Sequence, residues 1–183
     1  MTTDEMNAWF DQRFAEKMAE GSGSETPRLS IMVTKGTLDW AYPPFIIAST
    51  AAAMGWNATL FFTFYGLSLL KKDLNLKVTP LGNAAMEMPM AGGHMVMPNI
   101  VGMLPGVDAM ASKMMKNLIK KNGVASVEEL RDLAVEADVR MIACQMTLEL
   151  FDYKREDLID GIEIGGAATY IEVATKSHIN LFI

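Results

Sequence analysis

Apolar runs alternate with segments of helical periodicity along most of the chain. Short runs rich in apolar and β-branched residues predict strands at 29–34, 58–62, 139–143 and 178–183. Longer amphipathic segments predict helices at 39–54, 106–121, 126–137 and 165–176, with shorter helical pieces at 65–70, 145–150 and 154–160. This alternation predicts a compact α/β fold of three layers, in which a mainly parallel sheet has helices on both faces.

The amino-terminal segment differs from this pattern. Trp9, Phe10 and Phe14 recur at helical spacing within residues 2–17, which predicts an amphipathic helix. A Gly-Ser-Gly-Ser stretch at 21–24 then reads as a linker. We therefore expect a helix and linker over residues 1–27 and one α/β domain over residues 28–183.

The stretch from Trp40 to Leu70 contains no charged residue and is long enough for a membrane helix. Gly55-Trp56-Asn57 divides it into an alanine-rich half and a half rich in β formers, which favours a buried helix followed by a buried parallel strand over a membrane span. The first 20 residues carry several acids and lack the apolar core of a signal peptide. We expect a cytoplasmic protein that does not cross the membrane.

Charge and motif content exclude several classes of function. The formal charge of −6 argues against a nucleic-acid-binding surface, because phosphate binding needs a basic face. The lysines of the predicted helix at 106–121 form a local basic stripe, read either as a solvated face or as a docking site for an acidic partner. The sequence has no GxGxxG, GxxxxGK[ST] or GxSxG motif. One cysteine cannot form an internal disulfide, a CxxC pair or a cysteine-based zinc cage, so we expect no metal and no cofactor.

The middle of the chain, residues 78–105, is rich in methionine, glycine and proline and fits neither a regular helix nor a regular strand. Methionine suits adaptable apolar interfaces, so we expect a loop or broken helix that covers the sheet or contacts another subunit. The alternative is a copper(I) site in which thioethers act with His94 and Cys144. His94 itself is equally compatible with a polar turn residue and with a functional base.

The single cysteine, Cys144, follows the predicted strand at 139–143 and precedes a short predicted helix beginning at Gln145. Side chains at the carboxyl end of a parallel strand face the crevice where α/β folds place their chemistry, and helix amides can stabilise an anion there. A thiol in this position can be held as a thiolate and act as a nucleophile or sulfur carrier. The alternative is that Cys144 is a small buried hydrophobe.

Several runs resemble those of the DsrE/DsrF-like sulfur-relay family, in particular its DsrE-like branch, sometimes labelled peroxiredoxin-family. The resemblance covers roughly residues 29–183, with its matching runs at 61–66, 92–95, 99, 104–106, 142–147, 156–161, 165–170 and 180–183. It implies a homo-oligomeric α/β protein whose cysteine accepts and passes on sulfane sulfur as a persulfide. It also implies as partners a TusA-like sulfur carrier, a rhodanese or a heterodisulfide-reductase-like system. Cys144 is the one position onto which this chemistry transfers.

The expected reaction is thiol-to-thiol sulfur transfer at Cys144. Gln145, Met146 and Thr147 are expected to shape the pocket, with support from His94, Asn99 and Tyr65. Two other classes stay open: a noncatalytic assembly protein in which Cys144 is buried, and a thiol peroxide reductase that forms a sulfenic acid and needs an external resolving thiol. No Thr-Pro-Cys arrangement of the peroxiredoxin kind precedes Cys144, which disfavours the last class.

Overall fold

The fold is taken from a computed structural model of the chain. The structure describes residues 3–21, 26–79, 83, 87–90, 93–96 and 98–183, and at 3–5, 14, 17–21, 87–90, 93–95 and 99 it describes the backbone alone. Its strands are β1 (Arg28–Val33), β2 (Asn57–Phe62), β3 (Glu87–Met90), β4 (Gly93–Val96), β5 (Arg140–Cys144), β6 (Glu163–Gly165) and β7 (Ile179–Phe182). Its α-helices are α1 (Thr3–Gly21), α2 (Leu38–Ala53), α3 (Asn99–Gly102), α4 (Val107–Lys121), α5 (Val127–Glu136), α6 (Gln145–Leu150) and α7 (Ala167–Thr175), and 3-10 helices span Phe64–Leu70 and Arg155–Asp157.

Five parallel strands form the main sheet, in the order β6-β5-β2-β1-β7. Each of the four strands predicted from the sequence lies in this sheet. All five strands of this sheet run in the same direction, so their carboxyl ends meet at one edge. This confirms the predicted α/β class with a mainly parallel sheet.

The larger core lies on the face of the sheet that α2 and α5 cover. Leu60 and Phe62 of β2 pack there with Phe45 of α2, and the rings of Phe45 and Phe62 lie 6.0 Å apart. The uncharged stretch from residue 40 to residue 70 thus forms most of α2, all of β2 and a 3-10 helix, as the sequence predicted. Within the described part of the chain, no helix combines the length and the apolar character that a bilayer crossing requires.

Helix α7 covers part of the opposite face. A smaller cluster lies beneath it, made of Phe61, Ile142 and Cys144 with the partly buried Tyr170 and Val173. The rings of Phe61 and Tyr170 are 5.1 Å apart. Helices on both faces confirm the predicted layering, although this second face is covered more thinly than the first.

The start of α5 shows how closely the local sequence specifies some boundaries. The hydroxyl of Ser126 accepts a hydrogen bond from the amide of Glu129 at 3.2 Å, and the Glu129 carboxylate accepts one from the amide of Ser126 at 2.7 Å. These reciprocal bonds are the capping box that the sequence predicts, and they satisfy amides that a helix end leaves unpaired.

The region around Gly165 differs from the prediction. Gly165 was expected to open a helix, but it ends strand β6 and pairs with Cys144. A Cβ at this position would come within 3.0 Å of Ile142 and Thr169, so the glycine permits close packing rather than a helix start. A strand of three residues carries too little periodicity to be recognised from the sequence.

Two other segments also depart from expectation. In place of a helical piece over 154–160, only 155–157 is helical, and Leu158 forms an antiparallel bridge with Lys71. In place of a loop or broken helix, part of the middle segment forms an antiparallel hairpin of β3 and β4. Met86 and Met97 of that segment lie outside the described residues. Hairpin pairing depends on contacts between strands, which composition alone does not show.

Candidate functional site

Cys144 is the last residue of β5 and directly precedes α6. Its neighbours in the sheet are Gly165 of β6 on one side and, on the other, the end of β2, where Phe62 pairs with Ala143. The residue is only 5% exposed and packs against Phe61 and Ile142. The predicted strand-to-helix junction is therefore present, and the thiol lies just below the surface at the carboxyl edge of the sheet.

Two buried hydroxyls stand beside the thiol. Thr63 directly follows β2, Thr147 lies in the first turn of α6, and their Oγ1 atoms are 3.2 Å apart. Thr147 is fully buried and Thr63 nearly so. The hydroxyls of both residues act to lower the pKa of the Cys144 thiol. The thiol thus lies in a small polar environment within an otherwise apolar cluster.

Phe64 also contacts this pair of hydroxyls. Its backbone amide donates to Oγ1 of Thr147 at 3.1 Å, and its φ of 46° is in the left-handed region, which bulky residues rarely adopt. A hydroxyl has one hydrogen to donate and two lone pairs. Because Thr147 accepts from Phe64, its own hydrogen remains to be donated, either to Thr63 or to Cys144. The arrangement therefore leaves Thr147 able to donate to a thiolate at Cys144.

The electrostatic balance at Cys144 favours the ionised form. Burial is the largest influence and raises the pKa of the thiol, because a charge is poorly solvated there. Hydrogen bonds from the side chain and amide of Thr147, the hydroxyl of Thr63 and the amide of Met146 act in the opposite direction. Together they outweigh burial, so the pKa of Cys144 lies below that of an ordinary cysteine. The sulfur closes no regular capping hydrogen bond on α6.

The rim of the site is apolar and exposed. Tyr65 is 71% exposed and stacks on Phe151 at a ring distance of 5.8 Å, while Met146 is 62% exposed. The 3-10 helix that carries Tyr65 contacts both β5 and α6. Gln145 is exposed and donates to the carboxylate of Glu149 at 3.0 Å. Four of the six pocket residues named from the sequence, namely Gln145, Met146, Thr147 and Tyr65, therefore lie on the two elements that border Cys144.

For the other two named residues, the described part of the structure gives no side-chain position. The side chains of His94 in β4 and Asn99 in α3 lie outside the described part of the structure, as do those of Met88, Met90 and Met95. Among the described residues, no group of three or more His, Cys, Asp or Glu side chains is arranged to hold a metal ion.

Sequence reasoning missed Thr63 and Phe64. Thr63 ends an apolar run and carries no motif, so nothing local marks it. The signal that could have found it is topological: the residue after β2 meets the residue that ends β5 when the two strands are neighbours in a parallel sheet. The alternation of strands and helices predicts a parallel sheet but does not fix the order of its strands, so this pairing could not be inferred.

A cavity of about 460 Å³ lies at the other end of the sheet. It is lined by residues that begin the strands, including Asn57 and Arg140, and by Glu172 and Lys176 of the carboxyl-terminal end of α7. Three of its charged side chains take part in ion pairs: Arg140 binds Glu163 at 2.7 Å, and Lys176 binds Glu172 at 2.8 Å. The thiol and its hydroxyls lie at the opposite edge, so we place the chemistry there.

The chain is similar to a known family of proteins. The family model described as DsrE/DsrF/DrsH-like matches residues 25–182. The chain is 57% identical to the sulfur carrier protein DsrE2 of Allochromatium vinosum, over 87% of this chain and 99% of that protein. It is 33% identical to the uncharacterized protein YrkE of Bacillus subtilis, over 87% of this chain and 98% of that protein.

Among solved structures, the YchN protein of Escherichia coli has a similar fold. The TM-score is 0.50 at 10% identity, over 86% of this chain and all of that one. At that identity the likeness concerns the fold alone. The parallel sheet with Cys144 at its carboxyl edge, the match of the family model and the two relatives lead to one conclusion: the chain belongs to the DsrE/DsrF/DrsH-like family.

Proposed function

We propose that this chain is a sulfur-relay protein that holds sulfane sulfur as a persulfide on Cys144 and exchanges it with partner thiols. The observation that carries the proposal is the thiol itself, whose pKa is lowered by hydrogen bonds from Thr147 and Thr63 at the carboxyl edge of the sheet. The 57% identity to a protein named as a sulfur carrier supports the same role.

The transfer step is redox-neutral and balanced. The thiolate of Cys144 attacks the outer sulfur of a donor persulfide, R–S–SH, and a new sulfur–sulfur bond forms. The donor's sulfur–sulfur bond breaks, and its electron pair leaves on the inner sulfur as the thiolate R–S⁻. Cys144 then holds the outer sulfur as Cys144–S–SH, which an acceptor thiolate removes by the same step in reverse.

The two threonines assist both halves of this exchange. A depressed thiol pKa raises the thiolate fraction of the nucleophile and makes Cys144 a better leaving group when the sulfur moves on. The donor hydrogen of Thr147 stabilises whichever sulfur carries the negative charge. Thr147 and Thr63 are therefore assigned as groups that touch the reacting sulfur.

The exposed apolar rim suits a protein partner. Tyr65, Met146, Phe64 and Leu150 are exposed apolar side chains on the elements that border the thiol. Patches of this kind commonly mark protein interaction sites. We assign the rim to docking of a TusA-like sulfur carrier or a rhodanese, with Gln145 as a polar contact. The 5% exposure of Cys144 implies that a neighbouring side chain moves when a protein donor reaches the sulfur.

The proposal also covers how the chain divides into domains, how it assembles and where in the cell it works. Residues 28–183 form the relay domain, residues 1–27 are an appended helix and linker, and the protein works as a homo-oligomer in the cytoplasm. The apolar side chains exposed on the thinly covered face, such as Phe182 and Ile171, support burial against another copy.

Intact mass spectrometry tests the assignment. The native protein is incubated with polysulfide or thiosulfate and, separately, with a persulfidated carrier, and Cys144→Ser is the control. We expect the mass to rise by one or more sulfur atoms, with reversal on reduction and no addition in the variant. An unmodified thiol in folded protein would favour the assembly role. Addition of oxygen after peroxide treatment, without sulfur loading, would favour a thiol peroxide reductase.

A further inference from the structure

A buried arginine lies on helix α5. Arg131 is only 5% exposed, and its Nε has no hydrogen-bond partner among the described residues. The carboxylates of Asp132 and Glu128 act on the guanidinium through space and not through an ion-pair contact. Burial of a cation costs free energy, and it lowers the pKa of Arg131. The contacts that the guanidinium does make must therefore offset this cost.

Arg131 hydrogen-bonds to the carboxyl-terminal end of the 3-10 helix Phe64–Leu70. Its Nη1 donates to the carbonyl oxygen of Leu69 at 3.2 Å and to that of Lys71 at 2.5 Å. A helix end leaves its last carbonyls unpaired and carries partial negative charge, so a cation is a favourable cap. The guanidinium thus joins α5 to this 3-10 helix.

The opposite end of the same 3-10 helix borders the thiol. The amide of Phe64, its first residue, donates to Oγ1 of Thr147 at 3.1 Å. Thr63 comes directly before it, and the hydroxyl of Thr63 lies 3.2 Å from that of Thr147. The two threonines lower the pKa of Cys144. One end of the helix is therefore held by Arg131, and the other end takes part in the site of the thiol.

The 3-10 helix has little room to move between these two ends. It has seven residues, so its ends are about 14 Å apart. Leu69 and Leu70 are fully buried. The amide of Gly66 donates to the carbonyl oxygen of Thr34 at 3.0 Å. Close-packed interiors transmit strain, so we expect a shift at the carboxyl-terminal end of the helix to reach Phe64.

We propose that Arg131 is a positioning residue for the thiol site. By capping the 3-10 helix Phe64–Leu70, it holds the amino-terminal end of that helix against Thr147 and so sets the reactivity of Cys144. Arg131 is not among the groups that act directly on the pKa of the thiol, which favours an effect through geometry over an effect of its charge. This inference rests on the proposed function for the choice of Cys144 as the reactive group.

The pH dependence of alkylation by iodoacetamide tests the proposal without any sulfur donor. Arg131→Met removes the two hydrogen bonds and keeps an unbranched side chain. We expect the alkylation midpoint of Cys144 to move to higher pH and the rate at pH 7 to fall about threefold, because the hydroxyls are then less well placed to stabilise the thiolate. Arg131→Lys retains a cation that can donate to both carbonyls, so it is expected to restore most of the rate.

Arg140→Met is the matched control. Arg140 lies at the opposite end of the strand that ends in Cys144, and it pairs with Glu163 at 2.7 Å. Its replacement removes one cation and its ion pair but leaves the cap of the 3-10 helix in place. We expect the alkylation midpoint of this variant to stay at the wild-type value. An equal shift in the two methionine variants, or no shift in Arg131→Met, would overturn the proposal.

A double-mutant cycle shows whether Arg131 acts through Thr147. Thr147→Val lacks the hydroxyl, so adding Arg131→Met to it should move the alkylation midpoint much less than the same change does in the wild type. Equal shifts in both backgrounds would refute the route through the 3-10 helix and would indicate a direct effect of the charge.

Folding and sulfur chemistry are measured separately from this role of Arg131. Circular dichroism and urea unfolding report whether each variant is folded. Should Arg131→Met not fold, Arg131→Gln takes its place with the same expected shift, because its shorter amide cannot serve both carbonyls. Failure of the folded wild type to load persulfide would refute the proposed function, whereas the alkylation midpoints would still decide the role of Arg131.

Discussion

The hydroxyl oxygen of Thr147 accepts a hydrogen bond from the backbone amide of Phe64 at 3.1 Å, joining residues that are 83 positions apart in the chain. The bond ties the first turn of α6 to the segment that leaves β2. It also leaves the hydrogen of the Thr147 hydroxyl for donation to Thr63 or to Cys144. The reactivity of the thiol therefore depends on the contact between two sheet strands and not on α6 alone.

Replacing Thr147 by Val removes the donor while keeping the side-chain shape. We expect the pKa of Cys144 to rise, because burial then acts against fewer stabilising hydrogen bonds. The pH dependence of iodoacetamide alkylation should shift its midpoint upward relative to the wild type. Thr147→Ser retains the hydroxyl and is expected to stay close to the wild type. An unchanged pH midpoint of alkylation in Thr147→Val would show that the hydroxyl of Thr147 does not stabilise the thiolate of Cys144.

Cys144 should also make stability depend on pH. Its pKa is lowered in the folded state, so the unfolded chain binds more protons between that value and the ordinary value of about 8.5. The contribution of Cys144 to the free energy of unfolding is therefore fully present above the pKa of the thiol in the unfolded chain. It is lost as the pH falls through the pKa of the thiol in the folded chain.

Urea unfolding of the wild type and Cys144→Ser under reducing conditions measures this effect. The stability of the wild type relative to the variant should grow as the pH rises from 6 to about 9. A relative stability that is constant or falls over this range would contradict the lowered pKa of the thiol.

Gly66 allows the segments after β1 and β2 to cross closely. A Cβ at this position would lie 2.3 Å from the carbonyl oxygen of Val33, and this backbone atom has little freedom to move. We expect Gly66→Ala to reduce the free energy of unfolding by about 1–3 kcal/mol, the usual cost of overpacking. Gly166→Ala is the matched control, since a Cβ added there would have nothing within 4 Å. Comparable losses in both variants would show that the two segments do not cross so tightly.

Phe62 anchors the larger core, where it is fully buried against Phe45. We expect Phe62→Ala to lower the free energy of unfolding by about 3–5 kcal/mol, because the substitution leaves a cavity. Phe182→Ala, at a phenylalanine of β7 that is 74% exposed, should cost about 1 kcal/mol or less. Denaturant titration compares the two variants, and equal losses would contradict the assignment of the core.

Local pattern was enough to predict most elements of the fold. The uncharged stretch before Lys71 divided at Gly55 as expected, because a buried helix and a buried parallel strand both require apolar residues on every side. The capping box at Ser126 needed only residues three positions apart. By contrast, the three-residue strand β6 and the β3–β4 hairpin depend on pairing with other strands, so composition alone carried no signal for them.

The sequence by itself determined the α/β class, the position of Cys144 at a strand-to-helix junction and the presence of Thr147 beside it, because each follows from neighbours within a few residues. Only the tertiary structure decided that Thr63 and Phe64 complete the site, since they reach it through the adjacency of β2 and β5. The same holds for the lowered pKa of the thiol, because it is the balance between burial, which raises it, and hydrogen bonds from two separate strand ends, which lower it.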